Sequence, residues 1–134
     1  MRHENLHDAK QAGAIPWEDE ATELSDHHVT VYRDAYPVTK GHLLFVPKFN
    51  NNVVIEDALK YAFRYGHAMV AHGRWESYNI GMNCGEAAGQ TVMYPHVHLI
   101  PRRSGDTPDP TGGVRAVIFG QANYRKAGYQ HPGK

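Results

Sequence analysis

The stretch Tyr94-Pro95-His96-Val97-His98-Leu99-Ile100-Pro101-Arg102 constrains this chain more than any other. It alternates apolar residues with residues that carry chemistry. On a β-strand alternate side chains share a face, roughly 6 to 7 Å apart. Tyr94, His96 and His98 are therefore expected to project together, while Val97 and Leu99 face a core. One side anchors the strand and the other is free for reactivity. Taken alone, the pair of imidazoles admits three readings. It is an ordinary half-buried strand, part of a metal site, or a nucleophile with its helper. A zinc site needs a third or fourth ligand, and no HExxH or cysteine pair lies nearby, although His42 could join from another strand.

The rest of the chain supplies the sheet that such a strand needs. Two runs rich in β-branched and aromatic residues, His28–Tyr32 and His42–Pro47, flank a connection containing Pro37 and Gly41, which suggests antiparallel neighbours. Between Asn52 and Gly73 the positions Ile55, Leu59, Ala62, Gly66 and Met69 recur at steps of four and three, with Phe63 and Val70 widening the stripe. That is the helical period. Trp75–Met82 returns to strand composition, Asn83–Gln90 is a Gly-bearing loop, and Thr91–Pro101 is again a strand. The expected fold is α+β, an antiparallel sheet with one main helix. Residues 1–22 form an irregular or short-helical arm, 23–103 the core domain, and 104–134 a tail that packs on the domain or on a dimer mate. For Trp17 and the acidic run Glu18-Asp19-Glu20 the expectation is a surface arm.

Bulk properties narrow the function class. With 134 residues the chain holds one domain, and its 14 basic and 14 acidic residues leave no long-range field to gather nucleic acid or anionic membrane. The single cysteine, Cys84, excludes an intrachain disulfide and fits a reducing compartment. No apolar run approaches a membrane span. The expectation is a cytoplasmic protein with no nucleic-acid or membrane partner, which holds any anion by local geometry.

The loop before the histidine strand favours an anion. Gly85 and Gly89 permit conformations in which amide N–H groups converge on a negative ligand, and Gln90 and Thr91 add donors beside them. A neutral histidine can attack phosphorus, and a second one two residues on can steady the phosphoryl oxygens, giving a phosphoramidate that water later cleaves.

Four segments in order, RDAYPVTKGHLLFVPK, the helix, NIGMNCGEAAGQT and YPHVHLIPRRSGD, resemble the histidine triad (HIT) superfamily of nucleotide hydrolases and transferases. The tail GDTPDPTGGVRAVI is similar to bacterial members. The resemblance implies a five-stranded antiparallel sheet with one main helix, paired as a homodimer. It further implies that His96 is the nucleophile taking a nucleotidyl group from the α-phosphate and that His98 contacts that phosphate. Asn83, Gly89, Gln90 and Thr91 fall on the phosphate-side loop, with the Thr91 hydroxyl serving the leaving group. Asp34 falls on the acceptor for ribose hydroxyls, Tyr32 and Ala35 on the nucleoside side, and His42 on a histidine that supports the triad by fixing a ring tautomer. The implied substrates are dinucleoside polyphosphates, nucleoside phosphoramidates or related conjugates. No cofactor or protein-held metal is required, and Mg²⁺ has room to assist a polyphosphate by neutralising charge.

The chain departs from the pattern at Tyr94, where a full triad has histidine. A phenol is a poor base and mainly donates a hydrogen bond, so the helper role is altered or relocated. Pro95 has precedent in the related hexose-1-phosphate uridylyltransferase branch, and it removes a ladder N–H, which suits a strand end. Arg102 and Arg103 could reach a polyphosphate or form a solvated pair. Two rivals stay open: a nucleotide-binding or sensing module without efficient catalysis, and a metal-dependent hydrolase using His42, His96 and His98.

Overall fold

The computed structural model describes residues 2–133. The chain divides into two compact units, Met1–Arg103 and Ser104–Lys134. The first carries helix α1 (Leu6–Gln11), strands β1 (Val29–Arg33) and β2 (Leu43–Pro47), helix α2 (Asn52–Ala71), strand β3 (Ser77–Gly81), a 3₁₀ turn (Glu86–Ala88) and strand β4 (Val97–Arg102). The strands form one antiparallel sheet in the order β1-β2-β4-β3.

The sheet has four strands where five were expected. Beyond β1, residues 19–21 pair only as an isolated bridge, Glu20 opposite Tyr32, with Arg33 N–H donating to the Asp19 carbonyl and Ala21 N–H to the Val31 carbonyl. The acidic run ends in this edge. The pairing stops where the chain turns, the Ala21 carbonyl accepting from the N–H groups of Leu24 and Ser25, and Asp19 and Glu23 both hold the Arg33 guanidinium.

Helix α2 starts where Asn51 caps it, its side chain accepting from Val54 N–H at 3.0 Å, and ends before Gly73 at φ +72°. Its buried stripe is Val54, Ala58, Ala62 and Gly66. Ala62 and Gly66 thus lie in the expected stripe, whereas Val54 and Ala58 take the places expected of Ile55 and Leu59, and Leu59 and Phe63 are exposed. Small residues take the sheet side because the helix lies close. A Cβ on Gly66 would stand 2.9 Å from the Tyr78 ring and 3.1 Å from Leu99. Val29, Val31, Leu43, Phe45, Val97 and Leu99 complete this core, each such side chain contributing about 1.5–3 kcal/mol on burial.

The opposite face is covered by the N-terminal segment. Leu6, Ala9, Ile15 and Trp17 join Tyr32, Leu44, Val46 and Tyr94 in a second buried cluster. The surface placement expected for Trp17 is corrected: it is 5% exposed. Asn5 caps α1 and pairs with Phe49 across a bridge.

In the second unit a 3₁₀ segment, Gly113–Val117, leads into exposed Ile118 and Phe119. Arg115 organises this unit from within, donating to the carbonyls of Gln121 and Ala122 and lying over the rings of Tyr124 and Tyr129. Among the described residues no helix is long and apolar enough to cross a membrane.

Candidate active site

β4 begins at Val97, so the strand expected from Thr91 is shorter at its start. Pro95 has no N–H to give a ladder, and the chain enters the sheet only after it. His98, opposite Leu44 on β2 and Gly81 on β3, faces the layer covered by the N-terminal segment. His96 sits just ahead of the strand, with its ring centroid 5.2 Å from that of His98. Sequence spacing thus brings the two imidazoles together even though only one is on the strand.

Hydrogen bonds fix the tautomers of all three central rings. His96 Nδ1 lies 2.8 Å from the Tyr94 carbonyl. A carbonyl only accepts, so Nδ1 carries the proton and Nε2 keeps its lone pair. Val38 N–H donates to His42 Nδ1 at 3.2 Å. His42 Nε2 therefore holds the proton and donates it to His98 Nδ1 at 2.9 Å, with Asp34 Oδ2 at 3.5 Å from the same nitrogen. Neutral His98 is left with its own proton on Nε2, a donor for an oxyanion. One ring presents a lone pair and its neighbour presents a donor.

Burial keeps these rings neutral. Desolvation lowers His96 below the usual imidazole range, against the raising effects of the Tyr94 carbonyl and Asp34. His42 is lowered by the same cause, opposed by Asp34. His98 falls furthest, to about 4, through desolvation first and then the fields of His96 and His42.

Tyr94 does not join the imidazoles. Its hydroxyl donates to the Pro47 carbonyl at 2.7 Å inside the second core, and burial raises its pKa. Its backbone carbonyl, rather than its phenol, reaches the nucleophile candidate. Asp34 Oδ1 accepts from Tyr36 N–H at 2.8 Å, the turn geometry of an aspartate before a bend, while Oδ2 faces His42. Tyr32 is buried and Ala35 exposed.

The phosphate-side loop is closed on itself. Gly85 and Gly89 have φ of +99° and +93°, as the sharp turn requires. Gly85 N–H donates to Gln90 Oε1, Gln90 Nε2 donates to the carbonyls of Val92 and Met93, and the N–H groups of Gly89 and Gln90 bond within the loop. The N–H convergence expected of this loop is thus spent on its own shape. Thr91 is exposed. Asn83 and Gln90 line a cavity of about 490 Å³ with Tyr94 and Pro95, which His96 and His98 do not line. Arg102 binds Asn79 at 2.7 Å, and Arg103 binds Thr39 Oγ1 and the Lys40 carbonyl.

Sequence reasoning missed Trp17. Its ring centroid is 4.7 Å from that of His96, tilted by 58°, and 5.8 Å from that of Tyr32. An aromatic in a polar arm carries no periodic signal of where it will pack.

The HIT domain model matches residues 19–105. Protein hit of Bacillus subtilis is 41% identical over 98 residues, 68% of this chain and 66% of that protein. Adenosine 5'-monophosphoramidase HNT1 of Saccharomyces cerevisiae is 33% identical over 54% of this chain and 48% of its own length. The chain thus spans less than two thirds of these relatives. The crystal structure of a HIT family protein from Bacillus anthracis superimposes with a TM-score of 0.58 at 28% identity, covering 76% of this chain and 75% of that one. With its paired imidazoles and the antiparallel sheet that carries them, the chain belongs to the HIT family.

Proposed function

We propose that this protein hydrolyses or transfers a nucleoside monophosphate group through a covalent nucleotidyl intermediate on His96. The observation that carries this reading is the ring pair. His96 Nδ1–H is held by the Tyr94 carbonyl, leaving Nε2 as a nucleophile, and His98 offers a donor 5.2 Å away between centroids. In the first half-reaction the Nε2 lone pair bonds to the α-phosphorus while the bond to the leaving group breaks. His98 Nε2–H steadies the charge on the phosphoryl oxygens, and Thr91 serves the leaving group. Water then attacks phosphorus and the electron pair returns to Nε2. Asn83, Gly89 and Gln90 shape the phosphate side. Asp34, Tyr32 and Ala35 form the nucleoside side, which requires the Asp34 carboxylate to accept from ribose while it faces His42.

The substrate class comprises dinucleoside polyphosphates and nucleoside phosphoramidates, the latter in line with the activity for which the yeast relative is named. The reaction needs no protein-held metal. Asp34, His42 and His98 do bring ligand atoms within 4.8 Å of one another. To bind a metal, however, His42 Nε2 must release its proton to Nδ1, where Val38 N–H already points. The set is wired for protons. A homodimer in the cytoplasm completes the reading, and sedimentation velocity measures the dimer.

Incubation with adenosine 5'-phosphoramidate labelled in the adenylyl group tests the chemistry. An acid-labile adduct on His96, absent in His96→Ala with turnover lowered roughly a thousandfold or more, is expected. A second reading, a nucleotide sensor, is favoured by Tyr94, whose phenol supplies no third imidazole. Tight AMP binding with neither adduct nor turnover would establish the sensor instead.

A further inference from the structure

The N-terminal segment places an indole on the candidate nucleophile. Trp17 and His96 are 5% and 8% exposed, with ring centroids 4.7 Å apart. The Tyr94 carbonyl holds the other side of the imidazole through Nδ1. We propose that Trp17 is a positioning residue that fixes the His96 ring and stabilises the positive charge this ring acquires when it is nucleotidylated. The inference rests on the covalent reading above.

The charge follows from atom and electron balance. His96 starts neutral, with its proton on Nδ1. When Nε2 donates its lone pair to the α-phosphorus, the P–N bond forms and the leaving group departs with its bonding pair, taking a proton from solvent. A carbonyl cannot remove the Nδ1 proton, so the phosphorylated ring is an imidazolium carrying one positive charge. When water attacks phosphorus, the P–N pair returns to Nε2, the water's proton goes to solvent, and the ring is neutral again.

An aromatic face attracts a cation within about 6 Å of its centroid, most strongly for tryptophan and where water is excluded. Trp17 lies within that distance at a ring tilt of 58°, and both side chains are almost wholly removed from water. A neutral ring gains little from the same contact, so the indole favours the intermediate over the resting enzyme. It should speed formation of the adduct and slow its breakdown.

Fluorination of the indole tests this without altering shape, since each fluorine withdraws electron density from the face. The chain has two tryptophans, so Trp75→Phe in the full-length protein leaves Trp17 alone for replacement by mono-, di- and trifluorotryptophan. Quenched-flow measurement of labelled AMP on His96, with adenosine 5'-phosphoramidate as donor, reads formation and decay separately. The expected result is a stepwise fall in the formation rate, reaching about tenfold across the series, with faster decay. Trp17→Phe should retain more of the formation rate than Trp17→Leu at equal melting temperature. Equal rates across the fluorinated series, with the adduct present, would overturn the role of Trp17 alone. Absence of an adduct in the unsubstituted protein would overturn the covalent reading and this inference with it.

Discussion

The two faces of the sheet are built on opposite plans. Under α2 the face is apolar and close, with Ala58, Ala62 and Gly66 letting the helix approach Phe45, Tyr78 and Leu99. The other face is covered by irregular chain and buries groups that need partners: Tyr94 on Pro47, His96 on Tyr94, and His98 on His42. Among the described residues no buried side-chain polar atom lacks a partner. One face holds the fold by shape; the other holds it by satisfied hydrogen bonds, and this is the face on which rings can be held neutral and oriented. Reactivity here depends on how polar groups are buried, since both faces are equally part of the core.

This contrast can be broken in graded steps. Acid should damage the histidine face first. His98 is depressed to about 4 when folded against roughly 6.5 when unfolded. Between these values the unfolded chain binds more protons, so stability falls as pH drops from about 6.5 to about 4 and is fully present above that window. A loss on the order of 3 kcal/mol is expected, read from chemical denaturation across the range. An unchanged midpoint would show that His98 is not buried neutral. His42→Ala removes the donor that fixes His98, and turnover should fall about tenfold to a hundredfold, measured as kcat/KM. Activity equal to the unsubstituted protein would show that His42 does not set the His98 tautomer.

On the helix face, Gly66→Ala should cost about 1–3 kcal/mol through contact with Tyr78 and Leu99, with melting temperature as the check. Unaltered melting would mean that the helix can lift away. The smallest effect belongs to Tyr94→Phe. It leaves the Pro47 carbonyl without its donor and should cost about 1 kcal/mol, visible in urea unfolding and absent if water takes the place of the hydroxyl.

These differences track what could be read in the sequence. The α2 span, the antiparallel strands and the nearness of His96 to His98 follow from periodicity, since period is a local property. The buried stripe of α2 was legible only in part, at Ala62 and Gly66 but not at Val54 and Ala58. Helix-to-sheet distance is set by Gly66 and the alanines, and large apolar residues such as Phe63 were left outside. The contacts of Trp17, Tyr94 and Gln90 were not legible for another reason. Trp17 packs on the His96 ring from a distant irregular segment, while Tyr94 and Gln90 bond to the backbone carbonyls of Pro47, Val92 and Met93, and neither kind of contact leaves a spacing to count. The fifth strand is cut to a single bridge, Glu20 opposite Tyr32, by the turn in which the Ala21 carbonyl accepts from Leu24 and Ser25.

The bond from Val38 to His42 has a consequence for how this protein tolerates change. Val38 has its side chain largely in solvent, 71% exposed, so nearly any residue could stand there by packing criteria. Its contribution is an amide hydrogen, which every amino acid except proline supplies. Proline at 38 would delete that hydrogen and free His42 to turn its protons around, so that His98 would carry its proton on Nδ1 and lose the donor at Nε2. A surface position indifferent to its side chain thus governs the polarity of a buried chain of rings through the backbone alone.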